Sequence, residues 1–239
     1  MRITWKKVLL AGLAGVLAAG AALAAGELQR RREETAGQIA ADRGRLRVML
    51  GSEAVATEQF EISRSGDDWV AKGSTDIGLP DGRTGRVRGE LRFAPDGAPR
   101  RYEWSSEGEQ KSSAVFTFTE GTARMELQMA GEQPFQQDFF FTSPRVAILD
   151  NNLYHQYALL AVLYDWSRGG AQSFPVLIPQ DLTPGTIVVE SAPVVDAGGV
   201  RRQMLRVRSA DLEIEVYLDD ARKLVRLAVP AANVEIVRE

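Results

Sequence analysis

Along most of this chain apolar and polar residues alternate with a period of two. In Ala54–Ser63, Phe60 and Ile62 fall on one side and Glu61 and Ser63 on the other. Trp69–Thr75 sets Trp69 and Ala71 against Val70 and Lys72, and Gly85–Phe93 sets Val87, Leu91 and Phe93 against Arg86, Arg88, Glu90 and Arg92. Ala123–Met129 sends Met125, Leu127 and Met129 inward, and Asp211–Leu218 sends Leu212, Ile214, Val216 and Leu218 inward. Such alternation marks strands with one dry and one wet face. Turn signals such as Ser65-Gly66-Asp67-Asp68, Pro95-Asp96-Gly97 and Glu120-Gly121 separate them, because Gly and Asp tolerate the conformations that tight turns require. The pattern predicts a mainly β fold: one antiparallel meander of about ten or eleven strands. A sheet of that length buries its apolar face by curling into a half-barrel or barrel.

One stretch breaks the period. In Val146–Trp166, Leu153, Tyr157, Leu160, Ala161 and Tyr164 follow helical spacing, and His155, Leu159, Val162 and Trp166 form a neighbouring stripe. This predicts a helix over about 150–167, capped by Asp150 or Asn151 and ended by Gly169-Gly170. An ordinary surface helix needs a single apolar stripe. This one is apolar around most of its circumference, so it is expected against the concave sheet face.

The N-terminus reads differently. A basic start with Arg2, Lys6 and Lys7 precedes the apolar run Val8–Ala25, and Ala22-Leu23-Ala24 fits a small-x-small cleavage site. Residues 1–25 are therefore read as a signal peptide or a retained membrane anchor; either places the rest in the periplasm or on the periplasmic side of the inner membrane. Residues 26–45 read as a charged tether, and 46–239 as a single antiparallel β domain.

Composition narrows the chemistry. The chain has no Cys, which excludes disulfides, thiolate catalysis and an acylated N-terminal Cys. Its one His, His155, leaves no basis for a His-rich metal site, and no cofactor is expected. The net charge of −3 argues against a nucleic-acid partner. His155 could act as a base oriented by Asp150 or Asp165, but neither lies at the spacing that makes helix neighbours. Glu103, Glu126, Glu213 and Glu215 are candidate glycosidase carboxylates. All sit on wet strand faces among Arg and Gln, as solvated acids do. The aromatic residues Trp69, Tyr102, Trp104, Phe116, Phe118, Phe139, Phe141 and Tyr154, with His155 and Trp166, either line an apolar ligand pocket or fill the core between sheet and helix.

The export segment, the cysteine-free meander and the helix inserted partway along resemble the LolA/LolB-like half-barrels of bacterial envelopes. The early strand Ala56-Thr57-Glu58-Gln59-Phe60-Glu61-Ile62 also resembles that of related envelope domains of unknown function. The resemblance is architectural. It implies a non-enzymatic protein that holds a lipid or acyl chain in the concavity of a curved sheet. The alternatives are a membrane-tethered structural or protein-interaction module and, third, a carbohydrate-active enzyme.

Overall fold

The computed structural model describes residues 39–79, 82–108, 111–192 and 202–239. The signal or anchor helix and most of the tether expected at the N-terminus lie outside these residues. Ile39–Glu239 forms one compact unit.

The unit is one fifteen-stranded sheet. In chain order the strands are β1 (Asp42–Leu50), β2 (Glu53–Ser65), β3 (Asp68–Gly78), β4 (Thr84–Phe93), β5 (Pro99–Glu107), β6 (Ser112–Thr119), β7 (Thr122–Met129) and β8 (Phe135–Phe140). There follow β9 (Ala147–Ile148), β10 (Ala171–Ile178), β11 (Thr183–Ala192), β12 (Gln203–Arg208), β13 (Glu213–Leu218), β14 (Leu224–Val229) and β15 (Val234–Arg238). Neighbouring strands pair antiparallel, apart from the short parallel pair β9–β10. β1 pairs with β15, so the two ends of the domain meet in mid-sheet. The Arg238 guanidinium holds the Asp42 carboxylate there at 2.7 and 2.8 Å.

The sheet is antiparallel as expected but has fifteen strands rather than about ten or eleven. One of the added strands is β9, whose two residues are too few to show alternation and lie inside the Val146–Trp166 stretch that breaks the period. β1 begins at Asp42, within the stretch read as tether. Leu212 precedes β13 and is exposed rather than inward.

The sheet is curled but not closed. β8 and β9 stand at opposite ends of the strand order. The β8 edge nevertheless comes up to the corner between β10 and β11, where Gln137 Nε2 donates to the Leu182 carbonyl at 3.2 Å. Inward residues from nearly every strand build one core, among them Leu46, Phe60, Leu91, Tyr102, Phe116, Met125, Leu205, Val216 and Leu227.

The helix predicted over 150–167 is much shorter. A 3₁₀ segment, Tyr154–Leu159, runs into one α-helical turn, α1 (Leu160–Leu163), and Tyr164 is already extended. Tyr, His and β-branched Val are weak helix formers, and neither Asp150 nor Asn151 caps the segment: the residue before it, Leu153, offers no side-chain acceptor. The segment persists because the sheet holds it, as the site geometry makes plain.

Candidate functional site

The segment Leu149–Trp166 forms a plug on the concave face. Its docking is built from β2 upward. Glu58 has the same strand parity as Phe60 and Ile62, so its carboxyl points into the core, and it is fully buried. One carboxyl oxygen accepts the backbone N–H of Tyr154 at 2.8 Å and of His155 at 3.2 Å. The other bonds His155 Nδ1. The free N–H groups at the start of the helical segment are thus capped by a residue ninety-odd positions earlier in the chain. At the other end Arg145 donates to the carbonyls of Leu163 (2.6 Å) and Val162 (3.5 Å), which the helix leaves free.

Close approach needs glycine. A Cβ at Gly73 would lie 2.6 Å from His155 Cε1 and 2.8 Å from Glu58 Oε1. At Gly89 it would strike Leu153 and come within 2.9 Å of the Tyr102 hydroxyl. His155 then stacks on Phe60, with ring centroids 5.6 Å apart and planes 8° from parallel.

A second polar group sits beside it. The Tyr102 hydroxyl donates to Asp150 at 2.8 Å, and Gln180 Nε2 donates to the same oxygen at 2.8 Å. The Asn152 N–H bonds the other Asp150 oxygen, and the Asp150 N–H donates to the Gln156 side chain. Thr75 Oγ1 donates to the Asn152 carbonyl at 2.5 Å. Burial raises the Asp150 carboxyl above its ordinary value, against the donors that favour its charge. Burial, then the Asp150 charge, raises the Tyr102 phenol well above its usual range, and burial pushes Tyr154 up to about 12. The Tyr157 phenol is raised by the same cause. Among the described residues, His155 Nε2 and Gln156 Nε2 are buried without a hydrogen-bond partner.

His155 therefore has a carboxyl orienter, but it is Glu58 rather than Asp150 or Asp165. Asp150 serves Tyr102 and Gln180, while Asp165 caps the turn at Ser167 and Arg168. The imidazole is fully buried and stacked, so in this conformation it is a docking group rather than a base facing substrate.

The ten sequence candidates divide. Tyr102, Phe116 and Phe139 are buried in one tilted stack with centroid spacings of 6.0 and 6.2 Å. Trp166 lies edge-on to Tyr164 and beneath the Arg222 guanidinium. Trp69, Phe118, Phe141 and Tyr154 are half-buried against the core. Trp104 differs. It belongs to one inward-facing row that crosses seven strands in register: Phe60, Gly73, Gly89, Trp104, Ala114, Leu127 and Phe135. The plug covers the first part of this row. Beyond Gly89, Trp104 and Leu127 are half-buried, Ala114 is buried, and Phe135 on the edge strand is 45% exposed. The Trp104 indole N–H is buried without a partner among the described residues.

The acids considered for glycoside chemistry are elsewhere. Glu103 pairs with Arg101 at 2.6 Å and Glu213 with Arg206 at 3.3 Å; Glu215 accepts from Tyr217 at 2.7 Å. Glu126 is exposed on the same wet face. A groove of ≈ 480 Å³ on that face, over Gly73 and Gly89, is lined by Lys72, Arg88, Glu90 and Glu103, with Lys72 and Glu90 paired at 3.1 Å.

Among the described residues no helix is long and apolar enough to cross a membrane. No family model and no curated protein matches the chain. Among solved structures, the chain is similar to a β-barrel-like protein of the domain of unknown function DUF1849 from Brucella abortus. The TM-score is 0.59 at 8% identity, over 85% of this chain and 97% of that one. It is also similar to a DUF1089 family protein from Pseudomonas aeruginosa, with TM-score 0.47 and 13% identity over 76% of this chain and 92% of that one. Neither description names LolA or LolB. At such low identity the Brucella structure speaks to fold alone, and what it supports is a curved, β-barrel-like architecture.

Proposed function

We propose that this is a non-enzymatic cell-envelope protein that holds an apolar or amphipathic ligand, such as a lipid acyl chain, on the uncovered part of its concave face. The N-terminal sequence supports export to the periplasmic side of the inner membrane. The observation that carries the binding reading is the inward row Trp104–Ala114–Leu127–Phe135. Inward positions of a curled sheet are normally sealed; here the row runs from half-buried Trp104 past buried Ala114 and half-buried Leu127 to Phe135, which is 45% exposed, and an inward aromatic left exposed at the end of such a row marks a place where something apolar is received. Binding rests on apolar burial, about 25 cal/mol per Å². The unpartnered Trp104 N–H offers one donor to an ester or carboxyl oxygen.

Native mass spectrometry of protein purified without detergent tests this, together with titration by a fluorescent fatty acid. Adduct masses of lipid size and saturable binding are expected. Ligand-free protein that also ignores the probe defeats the reading.

The close packing at Gly73 and Gly89 favours a second reading, a tethered structural or interaction module, because it leaves no room for a ligand under the plug. Protein recovered from membranes with its N-terminus intact and without lipid supports that alternative.

A further inference from the structure

The sheet is two meanders in sequence. β1–β8 run from mid-sheet to one end of the strand order, β9–β15 return from the other end, and a backbone ladder joins them where β1 pairs with β15. The plug belongs to the second meander, since it follows β9 and leads into β10. Its bonds to Glu58 of β2, Thr75 of β3 and Tyr102 of β5 reach across to the first.

The Glu58–His155 pair in this joint has no place for another proton. The two Glu58 oxygens already accept N–H groups, from Tyr154, from the His155 backbone and from the imidazole. A carboxylate only accepts, so the bond assigns the tautomer: Nδ1 carries the hydrogen and Nε2 is bare. Nε2 is buried with no hydrogen-bond partner among the described residues. A proton added there is a buried donor with nothing to receive it, and one added to Glu58 sets an O–H among donors. The other titratable groups around the pair are Asp150, Tyr154 and Tyr157 from the plug and Tyr102 from β5. β3 approaches with Gly73 and Thr75, and β13 and β14 turn only apolar residues into the core. Arg238 reaches the Phe60 ring on which His155 stacks, at 5.4 Å, and is itself held by Asp42. In water Glu58 and His155 take up protons freely. The released plug therefore binds more protons than the docked one, and docking weakens as pH falls.

We propose that Glu58 and His155 form an acid-sensitive latch: proton uptake by the pair releases the plug from the first meander while the β1–β15 ladder stays closed. Release bares the concave face around Phe60, Gly73 and Gly89, and it needs no ligand. Asp150 acts with the opposite sign, because its raised carboxyl favours the folded form in acid, so the two contributions are separated by substitution.

His155 is the one histidine of the chain, so its ring is followed without ambiguity in the intact protein. Nitrogen NMR shifts report its protonation, and hydrogen exchange of the 154–163 amides, corrected for intrinsic rates, reports docking. Imidazoles change charge over about pH 8 to 5. Across that range the Nδ1–H tautomer should give way to imidazolium in step with a fall in plug protection of about tenfold per pH unit, the slope for one proton, while β6 and β7 keep theirs. An imidazolium that forms under a plug still protected overturns the latch, as does a plug protected throughout. His155→Gln keeps a donor toward Glu58 but does not titrate, so its plug should lose the pH response; a response that persists overturns the proposal. Asp150→Asn should retain the response, and its disappearance there would move the switch to Asp150 and end the assignment to Glu58 and His155.

Discussion

One row of inward-facing residues behaves in opposite ways at its two ends. At Gly73 and Gly89 the plug presses on the backbone so closely that only glycine fits, and Glu58, Thr75 and Tyr102 meet several of the polar groups it brings. Farther along the same register Trp104 and Leu127 are half-buried, Ala114 is buried, and Phe135, on the edge strand, is 45% exposed. The difference is one of partners rather than of strand character. Where the chain supplies its own plug, the sheet carries glycine and buried acceptors. Where it does not, the sheet carries Trp, Leu and Phe. If the proposed function holds, the first end serves stability and the second receives an external apolar partner, so substitutions at the two ends should have separable effects.

The largest effect on stability is expected at Glu58. Glu58→Ala strands His155 Nδ1 and the first N–H groups of the plug in the core, and it should cost about 3–5 kcal/mol in chemical denaturation. Next is Gly73→Ala. Alanine is ordinarily better than glycine in a strand, but here its methyl group meets His155 and Glu58, which are held by their own bonds, so a loss of about 1–3 kcal/mol is expected. A gain in stability would show that the plug is more loosely docked than described.

The Asp150 carboxyl makes a pH-dependent contribution of defined sign. Burial raises it above its ordinary value of 3.8, so the folded protein holds that proton more tightly than the unfolded chain. The resulting stabilisation is fully present below 3.8 and is lost as pH rises through the raised value. Asp150→Asn should remove this component, and the difference in stability between variant and native protein should change with pH only above 3.8 and up to the raised value. A pH-independent difference would mean that Asp150 titrates alike folded and unfolded.

The smallest effect on stability belongs to the open end. Phe135→Ser should change unfolding free energy by no more than about 0.5 kcal/mol, yet weaken fatty-acid binding several-fold. The reverse outcome, a marked destabilisation with binding intact, would assign Phe135 to the core and end the contrast.

Much of this fold was legible because alternation reports which face each residue takes. The same rule places Glu58 inward, in step with Phe60 and Ile62, and an acid at a dry position is the one signal in the sequence that could have found the plug's anchor. It went unread because its partners are far along the chain. The helix was overestimated for a related reason. Helical spacing in Val146–Trp166 reflects a segment buried on most sides, and burial by a surrounding sheet needs no long helix to produce it. Of the aromatic candidates, composition could not separate Tyr102, Phe116 and Phe139, which fill the core, from Trp104, which stands in the row that ends at Phe135. That depends on the cross-strand register.

The central claim is tested most directly at Trp104. Tryptophan emission is followed while a dibrominated fatty acid, a contact quencher, is added to native protein and to Trp104→Phe. The account predicts saturable quenching in the native protein, and loss of most of that quenching in the variant while a fluorescent fatty acid still binds it. Quenching that is unchanged in Trp104→Phe, or absent from native protein at saturating probe, would contradict it.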